Sequence, residues 1–189
     1  DPDKSIEGWV PTDDGAFVVN EPQGAPGSFP VNDNPQDKAT YDFTVTVPAG
    51  HTVMANGVLV SHTVGNGQET WRWREDNPMS SYLMTATNGP FETKFYTTAF
   101  GLPMYDAVDP DTALSTAVDP DPDPDPEVAW ERLAAQGEII VFFSGLYGAY
   151  PFTSGGGIVD WAPNVGYALE SQTRANYHRV PSASTVVHE

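Results

Sequence analysis

The segment "DPDPDPDP", Asp119 to Pro126, constrains this chain more than any other. Each Pro removes a backbone donor and clashes with the preceding helical turn. Each also pushes the residue before it into extended geometry. Such a run has no place inside a helix or a central strand. It predicts a stiff, solvated, extended linker over 106–126, with different structure on either side. A calcium loop of the EF-hand kind needs a Gly at its sharp turn and a Glu at its end. Here the Gly is missing and Pro fixes the spacing, so the linker reading is preferred.

Residues 1–105 read as mostly β. "YDFTVTVP" alternates, with Tyr41, Phe43, Val45 and Val47 on one face and Asp42, Thr44 and Thr46 on the other. That is the pattern of a half-buried antiparallel strand. Asn56-Gly57 and Gly65-Asn66-Gly67 carry the residues that tight hairpins need at positive φ. "TWRW" puts Trp71 and Trp73 on one face and Arg72 and Arg74 on the other, a core-packed strand with an exposed basic edge. "SSYLMTAT" and "TKFYTTAF" add further strands. His51 and His62 fall at turn or strand ends and read as structural.

After the linker the signal becomes helical. Asp125 suits a cap, Pro126 suits the first turn, and Glu127 and Glu131 complement the dipole. Leu133, Ile140, Phe143 and Tyr147 recur near one face, with Gly137 a candidate break. "TSGGG" lacks the Lys-Ser/Thr of a phosphate loop. "VGYALESQTRANY" reads as an edge strand running into a loop, with His178 solvated.

Composition narrows the chemistry. The formal charge is −18, with eight Lys and Arg among 189 residues. Nucleic acid and anionic membrane are therefore poor partners. There is no cysteine, so disulfide and thiolate chemistry are absent. No stretch is long and apolar enough for a membrane span.

The chemistry-bearing end is "STVVHE", Ser184 to Glu189. In H-E-x-x-H, two His one helical turn apart hold a zinc, and the Glu reaches its water as general base. Only the first half stands here, and random order already gives roughly 0.2 His-Glu pairs in such a composition. Upstream stretches raise its weight. "GYALESQ", Gly166 to Gln172, resembles the substrate-anchoring Gly-x-Met-Glu-Asn stretch of the aminopeptidase N family of zinc aminopeptidases. "FFSGLYGAYPF", Phe142 to Phe152, is similar to that family's helix-to-strand entry into its catalytic domain. Glu21 to Pro48 resembles a segment of its N-terminal β-domain, with Pro30, Asp33, Pro35, Lys38 and Tyr41 in the matching places. The three stretches come in the family's order and span nearly the whole chain.

The resemblance implies a fold and roles. Residues 1–105 would be part of an antiparallel β-sandwich or saddle-like domain, and 127–189 the α+β start of a thermolysin-like catalytic domain. His188 would be the first zinc ligand and Glu189 the general base. Glu170 would bind the free α-amine of a peptide, and Glu21 would touch the same amine from the β-domain. Gly166, Tyr167 and Ala168 would form the edge that pairs with the peptide backbone. The cofactor implied is one Zn2+, and the partners are peptides with a free N-terminus and the remainder of the catalytic domain.

The chain departs from the pattern, with Tyr167 for Gly, Leu169 for Met and Ser171 for Asn. Ending inside the zinc motif, it is expected neither to hydrolyse peptides nor to hold zinc tightly alone. Acidity, absent cysteine and the resemblance together imply a secreted or cell-surface address. The competing reading is a non-catalytic β-rich binding module with an incidental His-Glu. A serine hydrolase built on Ser182 or Ser184 is disfavoured, since no G-x-S-x-G elbow is present.

Overall fold

A computed structural model describes residues 7–114 and 123–189. The first layer is an antiparallel sheet in the order β1-β2-β7-β4. Its strands are β1 (Gly8–Pro11), β2 (Ala16–Val19), β4 (Thr52–Ala55) and β7 (Ala86–Gly89). A one-turn helix, α1 (Ala25–Ser28), follows β2. The second layer, in the order β3-β6-β5, holds β3 (Ala39–Pro48), β5 (Val58–Gly65) and β6 (Gln68–Met79). The mostly β expectation for this part is met.

Strand β3 shows the expected alternation, with Tyr41, Phe43, Val45 and Val47 the less exposed residues. Trp71 and Trp73 are buried while Arg72 and Arg74 face solvent. Trp73 donates its indole N–H to the Val53 carbonyl at 2.9 Å, so the first two sheets are pinned across the core between them. Gly65-Asn66-Gly67 makes the β5–β6 hairpin, with Asn66 and Gly67 both at positive φ.

Asn56-Gly57 does not make a hairpin. β4 pairs with β7 and β5 with β6, so the chain changes sheets there. Gly57 has a φ of 83°, and a Cβ on it would lie 1.9 Å from the Arg74 carbonyl oxygen. Both the conformation and the space exclude a side chain. Gly57→Ala is expected to cost at least about 2 kcal/mol in urea unfolding. An unchanged midpoint would contradict that close approach.

The third sheet is mixed, in the order β11-β10-β9-β8. It comprises β8 (Glu92–Thr97), β9 (Pro103–Val108), β10 (Gly157–Val159) and β11 (Ala175–Tyr177). β9, β10 and β11 run parallel, and β8 returns antiparallel to β9. Helices α2 (Pro126–Ala134), α3 (Gln136–Tyr147) and α4 (Ala183–His188) accompany this sheet. Pro126 opens α2 as expected, but the Asp125 side chain makes no cap bond. The helical run breaks at Ala135, and Gly137 lies inside α3. α2 buries Ala129 and Leu133 at i, i+4 against Val108, Val159 and Tyr177.

The segment expected as linker therefore starts differently. Asp106, Ala107 and Val108 belong to β9, and Asp109, Thr112 and Ala113 are buried. The Asp125 amide bonds back to the Thr112 carbonyl at 2.8 Å, so the described residues on either side of 115–122 meet. Residues 103–108, apolar but for Asp106, make a strand, and Asp106 pays its burial through bonds from Gly157 N–H and Gln136 Nε2. Residues 115–122, with the first half of the Asp-Pro run, lie outside the described residues. The sheet takes strands from both sides of residue 105, so the change of architecture falls near Gly89–Glu92.

Candidate functional site

The site is built where the third sheet's loops meet α3 and α4. α4 starts at Ser182, whose side-chain oxygen accepts the Thr185 amide at 3.1 Å. That N-cap sets a helix whose last turn carries His188, with Glu189 next. Ser182 thus has a structural task, in keeping with the rejection of a serine hydrolase.

The opposite wall is the stretch 170–175, and it is firmly held. Gln172 gives its carbonyl to Asn56 Nδ2 at 2.7 Å. Thr173 accepts the Gly57 amide at 2.7 Å and lies 3.2 Å from the Glu75 carboxylate. Ser171, in the place of the family's Asn, is buried and accepts from Asn176 Nδ2 at 3.0 Å. Arg174 is wholly buried and donates to four carbonyls: Ala55 at 3.2 Å, Tyr105 at 3.0 Å, Gly57 at 2.7 Å, and Gly155. The carbonyls and the arginine come from four stretches, 55–57, 105, 155 and 174, so this one side chain ties the corner between the first two sheets to the third.

Between these walls lies a cavity of about 430 Å³. Glu170, His188 and Glu189 line it together, with Ile140, Phe143 and Tyr147 of α3 on an apolar side. Burial pushes the Glu189 carboxyl up; His188 pulls it down, and Glu170 and Glu21 push it up further. Glu21 is not on the cavity wall, but it belongs to the same acidic neighbourhood. Burial, then Glu170 and Glu21, raise the Tyr82 phenol. Tyr167 donates to the Glu21 carbonyl at 3.3 Å, bridging 146 residues of sequence. Its phenol is pushed up to about 12 by burial, Glu7 and Glu21. Tyr82 is a neighbour of the site that sequence reasoning missed, and no spacing signal marked it.

Gly166, Tyr167 and Ala168 are not a paired edge strand. A single bridge, Leu169 to Asn176, precedes Glu170. Among the described residues no backbone–backbone hydrogen bond reaches Gly166 or Ala168. His178 is buried rather than solvated: its Nδ1 bonds the Tyr167 carbonyl at 2.8 Å, and burial pulls its pKa down. His51 and His62 are structural, as expected. His62 stacks on Trp71 with ring centroids 3.7 Å apart, and His51 bonds the Asp14 carbonyl at 2.9 Å.

The donor set at His188 does not make a zinc site by itself. Catalytic zinc takes three protein ligands. Among the described residues, the acidic and His groups close enough to share a metal are Asp14, Asp109 and Asp111, away from His188. His188 supplies one donor, and no step through zinc is derived from these residues.

Residues 16–83 match the family described as the Peptidase M1 N-terminal domain. Solved M1 enzymes share the fold over nearly the whole chain. The M1 zinc metallopeptidase from Deinococcus radiodurans is 22% identical with a TM-score of 0.76, over 96% of this chain and 40% of that one. A variant of the Deinococcus enzyme bound to a Tyr-Ser-Ala substrate is 23% identical with a TM-score of 0.75, over 98% and 40%. Legionella pneumophila aminopeptidase A in complex with aspartic acid is 20% identical with a TM-score of 0.75, over 98% and 23%. The chain therefore spans less than half the length of these M1 enzymes. A search of curated proteins gives no match. The family resemblance read from the sequence is borne out by the M1 domain and these neighbours. Among the described residues, no helix is long and apolar enough to cross a membrane.

Proposed function

We propose that this chain is the amine-recognising part of an M1-type zinc aminopeptidase. In this reading residues up to about 89 belong to the N-terminal β-domain, and 127–189 to the start of a thermolysin-like catalytic domain. Strands β8 and β9 go with the catalytic part, since they share its sheet. The observation that carries the reading is the gathering of Glu170, His188 and Glu189 around one cavity, with Glu21 beside them.

Each residue has a chemical task. Glu170, exposed and fixed between anchored neighbours, binds the α-ammonium of a peptide by charge-assisted hydrogen bonds. Glu21 adds negative potential from the β-domain. The backbone of Gly166 and Ala168 pairs with the first peptide unit, as in strand addition. The apolar face of α3 receives a side chain. His188 would be one ligand of a zinc, which would supply a Lewis acid for the scissile carbonyl and its water. Glu189 would be the base toward that water.

Glu170→Gln in the full-length protein tests the amine role. It is expected to lower kcat/KM for free-amine peptides about tenfold to a hundredfold, the size of one lost charge-assisted contact. An unchanged kcat/KM would remove Glu170 from the site and favour a binding module without catalysis.

A further inference from the structure

A second acidic constellation sits at the carboxyl ends of β9 and β10. These strands pair in parallel, with Val108 opposite Val159. The next residues, Asp109 and Asp160, therefore leave the sheet side by side. Asp14, in the β1–β2 turn of the first sheet, and Asp111 complete the group. Carboxylate oxygens of Asp14, Asp109 and Asp111 lie within 4.8 Å of one another.

Acidic clusters are common on surfaces, but this one is not a surface cluster alone. Asp109 is fully buried and Asp160 is 1% exposed. Asp109 has a donor on each oxygen: Asp111 N–H at 2.8 Å and Trp161 N–H at 3.0 Å. Asp160 has none. Both of its carboxylate oxygens are buried without a hydrogen-bond partner. Asp109 and Asp14 are the charged groups that bear on it. The ion pairs among the described residues, His62–Glu69 and Arg74–Asp42, do not reach the group. Two buried carboxylates in contact, with further acids beside them and no basic partner, cost several kcal/mol unless a cation neutralises them.

We propose that Asp14, Asp109 and Asp111, with the buried unpartnered Asp160 beside them, form a divalent-cation site, and that calcium is the ion. Hard oxygen donors select Ca2+ or Mg2+ over softer metals. Calcium holds oxygens at about 2.3–2.6 Å in flexible geometry, so it spans donors up to roughly 5 Å apart. Magnesium, with oxygens at about 2.1 Å, demands a strict octahedron and gives up its water reluctantly, so carboxylates brought together from two sheets suit calcium better. The ion clamps the β1–β2 turn of the first sheet to the ends of two strands of the third. It thereby fixes the sheet that leads into Glu21 against the sheet that precedes Glu170. The site is independent of the peptidase reading and does not need it.

The test is thermal unfolding and calorimetric titration of the protein after EDTA treatment and dialysis. Millimolar CaCl2 is expected to raise Tm by roughly 5 °C or more, as a saturating ligand of the folded state does. The calorimeter should record about one calcium per chain. Asp111 is exposed, so Asp111→Asn should leave the fold intact, lower calcium affinity at least tenfold and shrink the Tm shift. Asp160→Asn should raise Tm without calcium, by removing an uncompensated charge, and lose most of the calcium response. MgCl2 should give a smaller shift than CaCl2. No heat and no Tm shift with calcium would overturn the site, leaving Asp160 as a protonated acid sharing its hydrogen with Asp109. A full calcium response in Asp111→Asn would place any binding elsewhere and overturn it too. An equal response to magnesium would overturn the choice of calcium.

Discussion

Arg174→Met is expected to lower the unfolding free energy by at least about 4 kcal/mol. The side chain is wholly buried and gives hydrogen bonds to the carbonyls of Ala55, Gly57, Tyr105 and Gly155. Its guanidinium also lies 5.4 Å from the Trp73 ring centroid and 5.0 Å from that of Tyr105. Methionine fills much of the space and donates nothing. The Ala55 and Tyr105 carbonyls lose this donor at about 1–3 kcal/mol each, and Gly57 and Gly155, which keep bonds from Ser154 Oγ and the Tyr105 amide, each lose a charge-assisted bond worth about 1.5–3 kcal/mol. Folded domains hold about 5–15 kcal/mol in all, so the variant should be close to unfolded at room temperature. Burial pulls the guanidinium pKa down to about 10, with Asp106 opposing, so it stays charged at neutral pH. Arg174→Lys keeps a charge but cannot reach four carbonyls in different directions. It should recover less than half of the loss. Urea denaturation measures both variants. A loss under about 1 kcal/mol for Arg174→Met would mean that other donors replace the arginine.

Glu189→Gln in the full-length protein carries the second large effect. Glutamine keeps the shape of the side chain and cannot take a proton. A general base in place contributes about 10²–10⁴ to rate, so kcat should fall by that factor. KM should change little, since the residue acts on water and not on the bound peptide. The variant should also keep the Tm of the parent, which separates lost chemistry from lost structure. Steady-state kinetics on aminoacyl substrates give kcat and KM separately. A fall in kcat of less than threefold would remove Glu189 from the role of base.

Much of this was legible before any coordinates, and the reasons are local. The alternation in 41–48 and the paired tryptophans in "TWRW" show which face is buried because a strand has period two. Pro126 opens a helix because its missing N–H would have no partner there anyway. Asn56-Gly57 misled because positive φ at Gly57 serves a corner between sheets as well as a hairpin. The register that decides between them lies in β6 and β7, far along the chain. The linker expectation failed at 106–114 for a similar reason. Asp106 and Asp109 look solvated in a window of sequence, yet amides from Gly157 and Trp161 receive them inside the fold.

The site shows the same division. His188, Glu189 and Glu170 stand in recognisable short motifs, so their types could be read directly. Their meeting around one cavity depends on how 170–175 is anchored, and Arg174 carries that anchoring. In the sequence it is one arginine in a polar loop, with nothing to mark it. Tyr82 and Asp160 were equally silent, because contacts across 80 or more residues leave no periodic trace.

The central claim is that the acidic cavity selects a free peptide amine. The most direct measurement compares kcat/KM of the full-length protein for one short peptide with a free N-terminus and for the same peptide N-acetylated. Acetylation removes the ammonium charge and adds a small acyl group. The account predicts that the free peptide is cleaved and the acetylated one is slower by at least about tenfold, the worth of one charge-assisted contact. Equal cleavage of the two peptides would contradict it.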